Sequence, residues 1–217
     1  MKIAIKSIVA VLIVPVVFGI TYAFYNNLVQ IPEFAHSLKF FAWGIVSYMI
    51  LHLIFYKPTY LYVLGHEAVH AGVSWVMGGK VNSFKVSNEG GSVGTDKSNF
   101  IIELSPYFVP VYAIIITLIY FVISSSYVIN GAVFIFLIGF ALAFHIISTI
   151  EVMKIRQPDI VKSGYFFSIV LVYCLNIVVV AAMFALMFPS FSIKKFFIDT
   201  LLLSKYIYIG ILKQLFC

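Results

Sequence analysis

The sequence predicts an all-α polytopic membrane protein: about six transmembrane helices, with a small β-hairpin-like loop after the fourth-from-last of them. Three observations carry that prediction. Of the 217 residues, 63% are hydrophobic and 10% charged, whereas a soluble domain has roughly 45–50% apolar and about 25% charged residues. The apolar residues gather into runs near the roughly 20 needed to cross a bilayer as a helix. One polar stretch of about 22 residues, rich in Gly and Asn, interrupts them at 78–99.

In chain order, the runs fall near residues 7–25, 39–56, 59–78, 100–123, 131–155 and 160–188. The first follows Lys2 and Lys6 and ends near "TYA", a weak signal-cleavage site, but its length favours an uncleaved span. Residues 1–57 thus read as an N-terminal two-span segment whose first span serves as a signal anchor. Residues 58–188 read as a four-span core. In the segment 78–99, β-branched and aromatic residues flank "NEGG", a pattern for a hairpin or an extramembrane loop. The fourth run opens with "SPYFVP", whose Pro106 and Pro110 should kink it. Residues 189–217 place Lys194, Lys195, Lys205 and Lys213 between apolar residues. They suit a helix lying in the membrane interface with its lysines snorkelling, or a short seventh span.

The formal charge is +6. Its basic residues border apolar runs, which is ordinary membrane anatomy, so no nucleic-acid partner is expected. With six alternating spans they divide seven against seven, and the positive-inside rule assigns no orientation. Cys174 and Cys217 make no metal spacing, and Cys217 is not placed for prenylation. A multi-pass location in a lipid bilayer, with the cell membrane as the expected one, follows from the composition.

The third run contains "LGHEAVHAGV", residues 64–73. Its His66-Glu67-Ala68-Val69-His70 matches H-E-x-x-H. On a helix, residues i and i+4 share a face, so two imidazoles can bind one Zn²⁺, and the adjoining Glu67 can act as general base. Zinc would lower the pKa of a water to about 7. The bilayer sharpens the pattern. Each ionisable group at a helix centre costs about 2.5 to 3.5 kcal/mol, so three within five residues call for a metal or a water-filled cavity. The small Gly65, Ala68, Ala71 and Gly72 allow close approach of other helices.

A catalytic zinc site needs a third protein ligand. Glu89, Glu103, His145, Glu151 and Asp159 are the candidates. Glu89 sits in a turn. His145 lies as deep in its span as the motif histidines lie in theirs. Asp159 follows Pro158, which suits the first turn of a helix, and would stand at that helix's positive end. His145 is also a candidate donor to a tetrahedral oxyanion. Asn176 suits a hydrogen bond between helices.

An apolar-embedded "HEAVH", a polar loop with hairpin character and a distant Asp after two more spans resemble the site-2 protease family of intramembrane zinc metalloproteases. The resemblance covers residues 59–188 in layout and is specific at the five-residue motif. It implies a zinc metalloendopeptidase that cleaves membrane-embedded protein or peptide substrates. It further implies His66, His70 and Asp159 as zinc ligands and Glu67 as base. The family's usual late motif is Asn-Pro followed by Leu-Asp-Gly; here the stretch reads "RQPDIVKSG". The competing reading is a non-catalytic membrane protein, such as a metal transporter with Glu103, His145 and Glu151 along its path, or a degenerate regulatory relative.

Overall fold

The computed structural model describes residues 3–32, 34–55, 57–125, 127, 130–155 and 157–216; Lys2, Arg156 and Cys217, which enter the readings above, lie outside them. Among the described residues, four helices are long and apolar enough to cross a membrane, or five if one bent pair counts as a single span. The chain is thus built as a multi-pass membrane protein is, with one two-stranded antiparallel sheet added. It divides into two compact units, Met1–His36 with Lys162–Cys217, and Ser37–Val161.

The first unit is made from both ends of the chain. Helix α1 (Ile3–Val29) is apolar on all sides, as a lipid-embedded helix is. Near the other end come α8 (Tyr165–Met187) and α9 (Ile193–Phe216). Helix α9 runs antiparallel along α1. The Tyr208 hydroxyl donates to the Leu12 carbonyl, Gly19 meets Ser204, Asn27 Nδ2 donates to Asp199 Oδ2 at 2.8 Å, and Lys195 Nζ donates to Gln30 Oε1. Phe24 packs edge-on against Phe184 and Phe196. The lysine-bearing C-terminal segment is therefore packed along the length of a candidate span, and it is not itself among the helices apolar enough to cross. Asn176 bonds within its own helix, to the Val172 carbonyl.

The second unit holds α2 (Phe34–Ile50) with a π-helical turn (Leu51–Phe55), then α3 (Thr59–Val76). Strands β1 (Val81–Ser87) and β2 (Gly90–Thr95) follow and pair as a hairpin in the register Ser87↔Gly90, Val86↔Gly91. The polar loop is thus a hairpin. Next are α4 (Phe100–Leu104), a 3-10 turn (Ser105–Tyr107), α5 (Val111–Ser124) and α6 (Gly131–Met153). Asn99 caps α4 by accepting from the Ile101 and Ile102 amides, and Asn130 caps α6 through the Ala132 amide.

Three of the expected spans are corrected in detail. The fourth is two helical pieces bent by 73° across Phe108–Pro110, more than a kink. The third forms its helix, but α3 is not among those apolar enough to cross, because His66, Glu67 and His70 occupy it. The sixth is split: α7 (Pro158–Ser163) stops at Gly164, whose φ of +91° breaks the helix before α8. The count of six crossings thus falls to four or five by length and apolarity.

Helices α2 and α6 pack at backbone distance. A Cβ on Gly44 would strike the Phe136 carbonyl and lie 2.8 Å from the Phe140 amide nitrogen, and one on Gly139 would strike the Phe41 carbonyl. Small residues let membrane helices approach this closely. Backbone cannot yield as a side chain can, so Gly44→Val should destabilise the protein by about 1–3 kcal/mol. A lowered thermal midpoint in detergent, against an unchanged midpoint for Gly210→Val, where a Cβ meets nothing within 4 Å, checks this.

Candidate metal centre

Helix α3 begins directly after Pro58 and ends where Gly78, at φ +72°, turns the chain so that its amide reaches the Trp75 carbonyl. Between those ends the helical spacing stacks His66 and His70 on one face, their ring centroids 4.9 Å apart. Both are largely buried, with 11% and 13% of their side chains exposed. Asp159, in the first turn of α7, completes the group: one ligand atom from each of His66, His70 and Asp159 lies within 4.8 Å of the others. Among the described residues this is the cluster of three that could hold a metal ion.

The donor chemistry of the group fits a cation. His70 Nδ1 is 2.8 Å from the Ile102 carbonyl oxygen. A carbonyl only accepts, so Nδ1 carries the proton, and the lone pair of the neutral ring is on Nε2. That Nε2 faces Asp159 Oδ2 at 3.5 Å, and His66 Nε2 faces the same oxygen at 3.8 Å. These gaps are longer than the ~2.7–2.9 Å of a charge-assisted hydrogen bond. Two ligands about 2.0–2.1 Å from a tetrahedral ion stand about 3.4 Å apart. Acceptors converging at that spacing suit a metal better than a proton.

The Ile102 carbonyl is available for a reason written in the sequence. In a continuous α-helix it would accept from the amide of residue 106. Residue 106 is proline and has no N–H. The helix ends there, and the freed oxygen accepts from both His70 Nδ1 and Ser105 Oγ. The break in the fourth span therefore supplies a partner to a ligand.

Glu67 is buried beside the histidines and outside the ligand group. Strand β2 crosses it. A Cβ on Gly91 would lie 2.6 Å from Glu67 Cγ and 2.9 Å from Glu67 Oε1. Glycine is what lets the strand come this close.

The other candidates lie elsewhere. Glu151 is held at 2.7 Å from Lys57 Nζ and 3.2 Å from His52 Nε2, with His52 Nδ1 on the Tyr48 hydroxyl. Glu103 accepts from Ser98 Oγ, and Glu89 is at the exposed hairpin tip. His145 is not in the ligand group, but lines a small cavity with His66, Gly65, Pro106, Pro110 and Tyr112. Of the small residues flanking the motif, Gly65 admits Tyr112 and Ala71 is buried, whereas Gly72 meets nothing within 4 Å. Sequence reasoning missed Ile102, Tyr107 and Gly91. Only Ile102 had a readable signal, the proline four residues on.

Compared with known proteins, the chain matches no family model, no curated protein and no solved structure.

Elemental analysis of purified protein should find about one divalent ion per chain. His70→Ala and Asp159→Asn should lose most of it, and Glu151→Gln should keep it. Retention by Asp159→Asn together with loss by Glu151→Gln would move the third ligand to Glu151.

Proposed function

We propose that the protein is a zinc-dependent intramembrane endopeptidase of the cell membrane, acting on membrane-embedded proteins or peptides and similar in chemistry to the site-2 proteases. The observation that carries this reading is the placement of Glu67. It adjoins a group of two histidines and an aspartate without joining it, which leaves its carboxylate available for proton transfer. A metal transporter does not need an acid between the two histidines, whereas a hydrolase does.

In this reading His66, His70 and Asp159 hold the zinc. When bound, it supplies Lewis acidity and lowers the pKa of a water to about 7. Glu67 takes a proton as the water oxygen adds to the scissile carbonyl carbon, then delivers it to the amine nitrogen as the C–N bond breaks. His145, lining the cavity beside His66, is the candidate donor to the tetrahedral oxyanion. In this environment α3 would make a sixth crossing lined by protein rather than lipid.

A membrane helix hides its peptide bonds in its own hydrogen bonds, and each backbone group left unpaired in lipid costs several kcal/mol. An unwound substrate needs replacement partners, and a strand edge offers them. The hairpin is suited to this, since Gly91 brings β2 into contact with the proposed base.

Glu67→Gln should abolish cleavage of single-span reporter peptides in proteoliposomes while metal content stays at the wild-type level. Metal flux into the same vesicles that survives Glu67→Gln, with no peptide cleaved by wild type, would establish the transporter instead. Replacing residues 80–98 with a Gly/Ser linker should cripple cleavage and spare metal binding; undiminished cleavage would remove the hairpin from the mechanism. Gly91→Val displaces either the strand or Glu67, so it should lower kcat at least tenfold with metal content unchanged.

A further inference from the structure

We propose that Tyr62 and Tyr107 are positioning residues for the metal centre, each fixing one ligand through its hydroxyl, Tyr62 on His66 and Tyr107 on Asp159. This rests on the reading of His66, His70 and Asp159 as metal ligands.

The three ligands differ in what holds them. His70 is fixed by a backbone carbonyl, that of Ile102, which no side-chain change removes. His66 has a side-chain partner: its Nδ1 is 3.2 Å from the Tyr62 hydroxyl, one helical turn earlier on α3. A histidine that ligates through Nε2 carries its proton on Nδ1 and must donate it. Tyr62 Oη is the acceptor in place, and accepting aims the lone pair of Nε2 at Asp159. The spacing of four residues puts both side chains on one helix face, so the pair is built in as soon as α3 forms.

Asp159 stands in the first turn of the short helix α7. Its Oδ2 is the oxygen nearest both histidines, and the Tyr107 hydroxyl donates toward that same oxygen from 3.5 Å. Tyr107 is fully buried, and its ring stands edge-on to His66, centroids 5.2 Å apart at 82°. One side chain thus touches two ligands, His66 with its ring and Asp159 with its hydroxyl. It comes from the 3-10 turn that Pro106 creates, the turn that also frees the Ile102 carbonyl. Outer partners of this kind typically change metal affinity 10–100-fold when removed.

Tyr112 is the internal control. It is a neighbouring tyrosine that packs on Gly65 of α3, but its hydroxyl donates to the Leu61 carbonyl and not to a ligand.

The experiment is a Co²⁺ titration of purified full-length protein in detergent, read by the visible d–d bands, with Zn²⁺ competition for affinity. Tyr62→Phe and Tyr107→Phe should each weaken affinity 10–100-fold and shift the cobalt bands. Their double variant should be weaker than either. Tyr112→Phe should bind as wild type does. The thermal midpoint of the metal-free protein should be unchanged in the Tyr62 and Tyr107 variants. Wild-type affinity and spectrum in both would overturn the proposal while leaving the metal site intact. So would a lowered metal-free midpoint with unchanged cobalt affinity, the signature of a merely structural role. Wild type that binds neither Co²⁺ nor Zn²⁺ would overturn the metal site and the proposal together.

Discussion

The structure around α3 depends on one constraint: a polar atom removed from water must find a partner inside the protein. His66, Glu67 and His70 put two imidazoles and a carboxylate into a chain that is 63% hydrophobic. Burying such groups unsatisfied costs far more than packing returns. Each histidine has therefore drawn a partner. His70 draws the Ile102 carbonyl, His66 the Tyr62 hydroxyl, and both face Asp159. The ligand atoms of His66, His70 and Asp159 converge on one point, and a single cation there could satisfy all three.

The broken fourth span follows from the same constraint. Proline is a common cause of such a bend. Here the missing N–H of Pro106 and the shape of the turn act together. The first releases a carbonyl for His70, and the second carries Tyr107 under His66 and against Asp159. Backbone polarity that would be a liability in lipid becomes useful where protein surrounds it. The His52–Glu151–Lys57 cluster shows the rule operating away from the metal group, since its carboxylate lies against both the Lys57 ammonium and the His52 ring.

Much of this could be read in the sequence, and the physical reasons for the rest are specific. The motif stood out because charge is costly in apolar surroundings, and its helical spacing fixes the face of His66 and His70. The hairpin was legible from the Gly and Asn cluster. Pro158 marked the start of α7. The bend of 73° was not legible, because two prolines announce a break without its angle. The sequence favoured Asp159 over Glu151 through the family resemblance; in the structure Asp159 lies with the two histidines, whereas Glu151 lies against Lys57 and His52. The contact of Gly91 with Glu67 could not be foreseen, because it depends on how a hairpin folds back over its neighbouring helix. Hydropathy also gave no sign that α9 would lie along α1, since a helix carrying lysines reads as interfacial whatever it packs on.

That antiparallel pairing of α1 and α9 has a consequence in time. The residues of the metal centre lie within Ser37–Val161, one uninterrupted stretch, whereas the first unit joins Met1–His36 to Lys162–Cys217. Chains are synthesised from the N-terminus at about 5–20 residues per second, and units fold as they emerge. Helix α1 must therefore wait in the membrane without its partner until some 160 further residues have been made, on the order of ten seconds or more at those rates. Its uniformly apolar surface suits that wait, because lipid can solvate every face of it. The Asn27–Asp199 bond and the seat of Tyr208 on the Leu12 carbonyl can form only at the end. All the residues of the candidate metal centre are thus synthesised before the first unit can be completed.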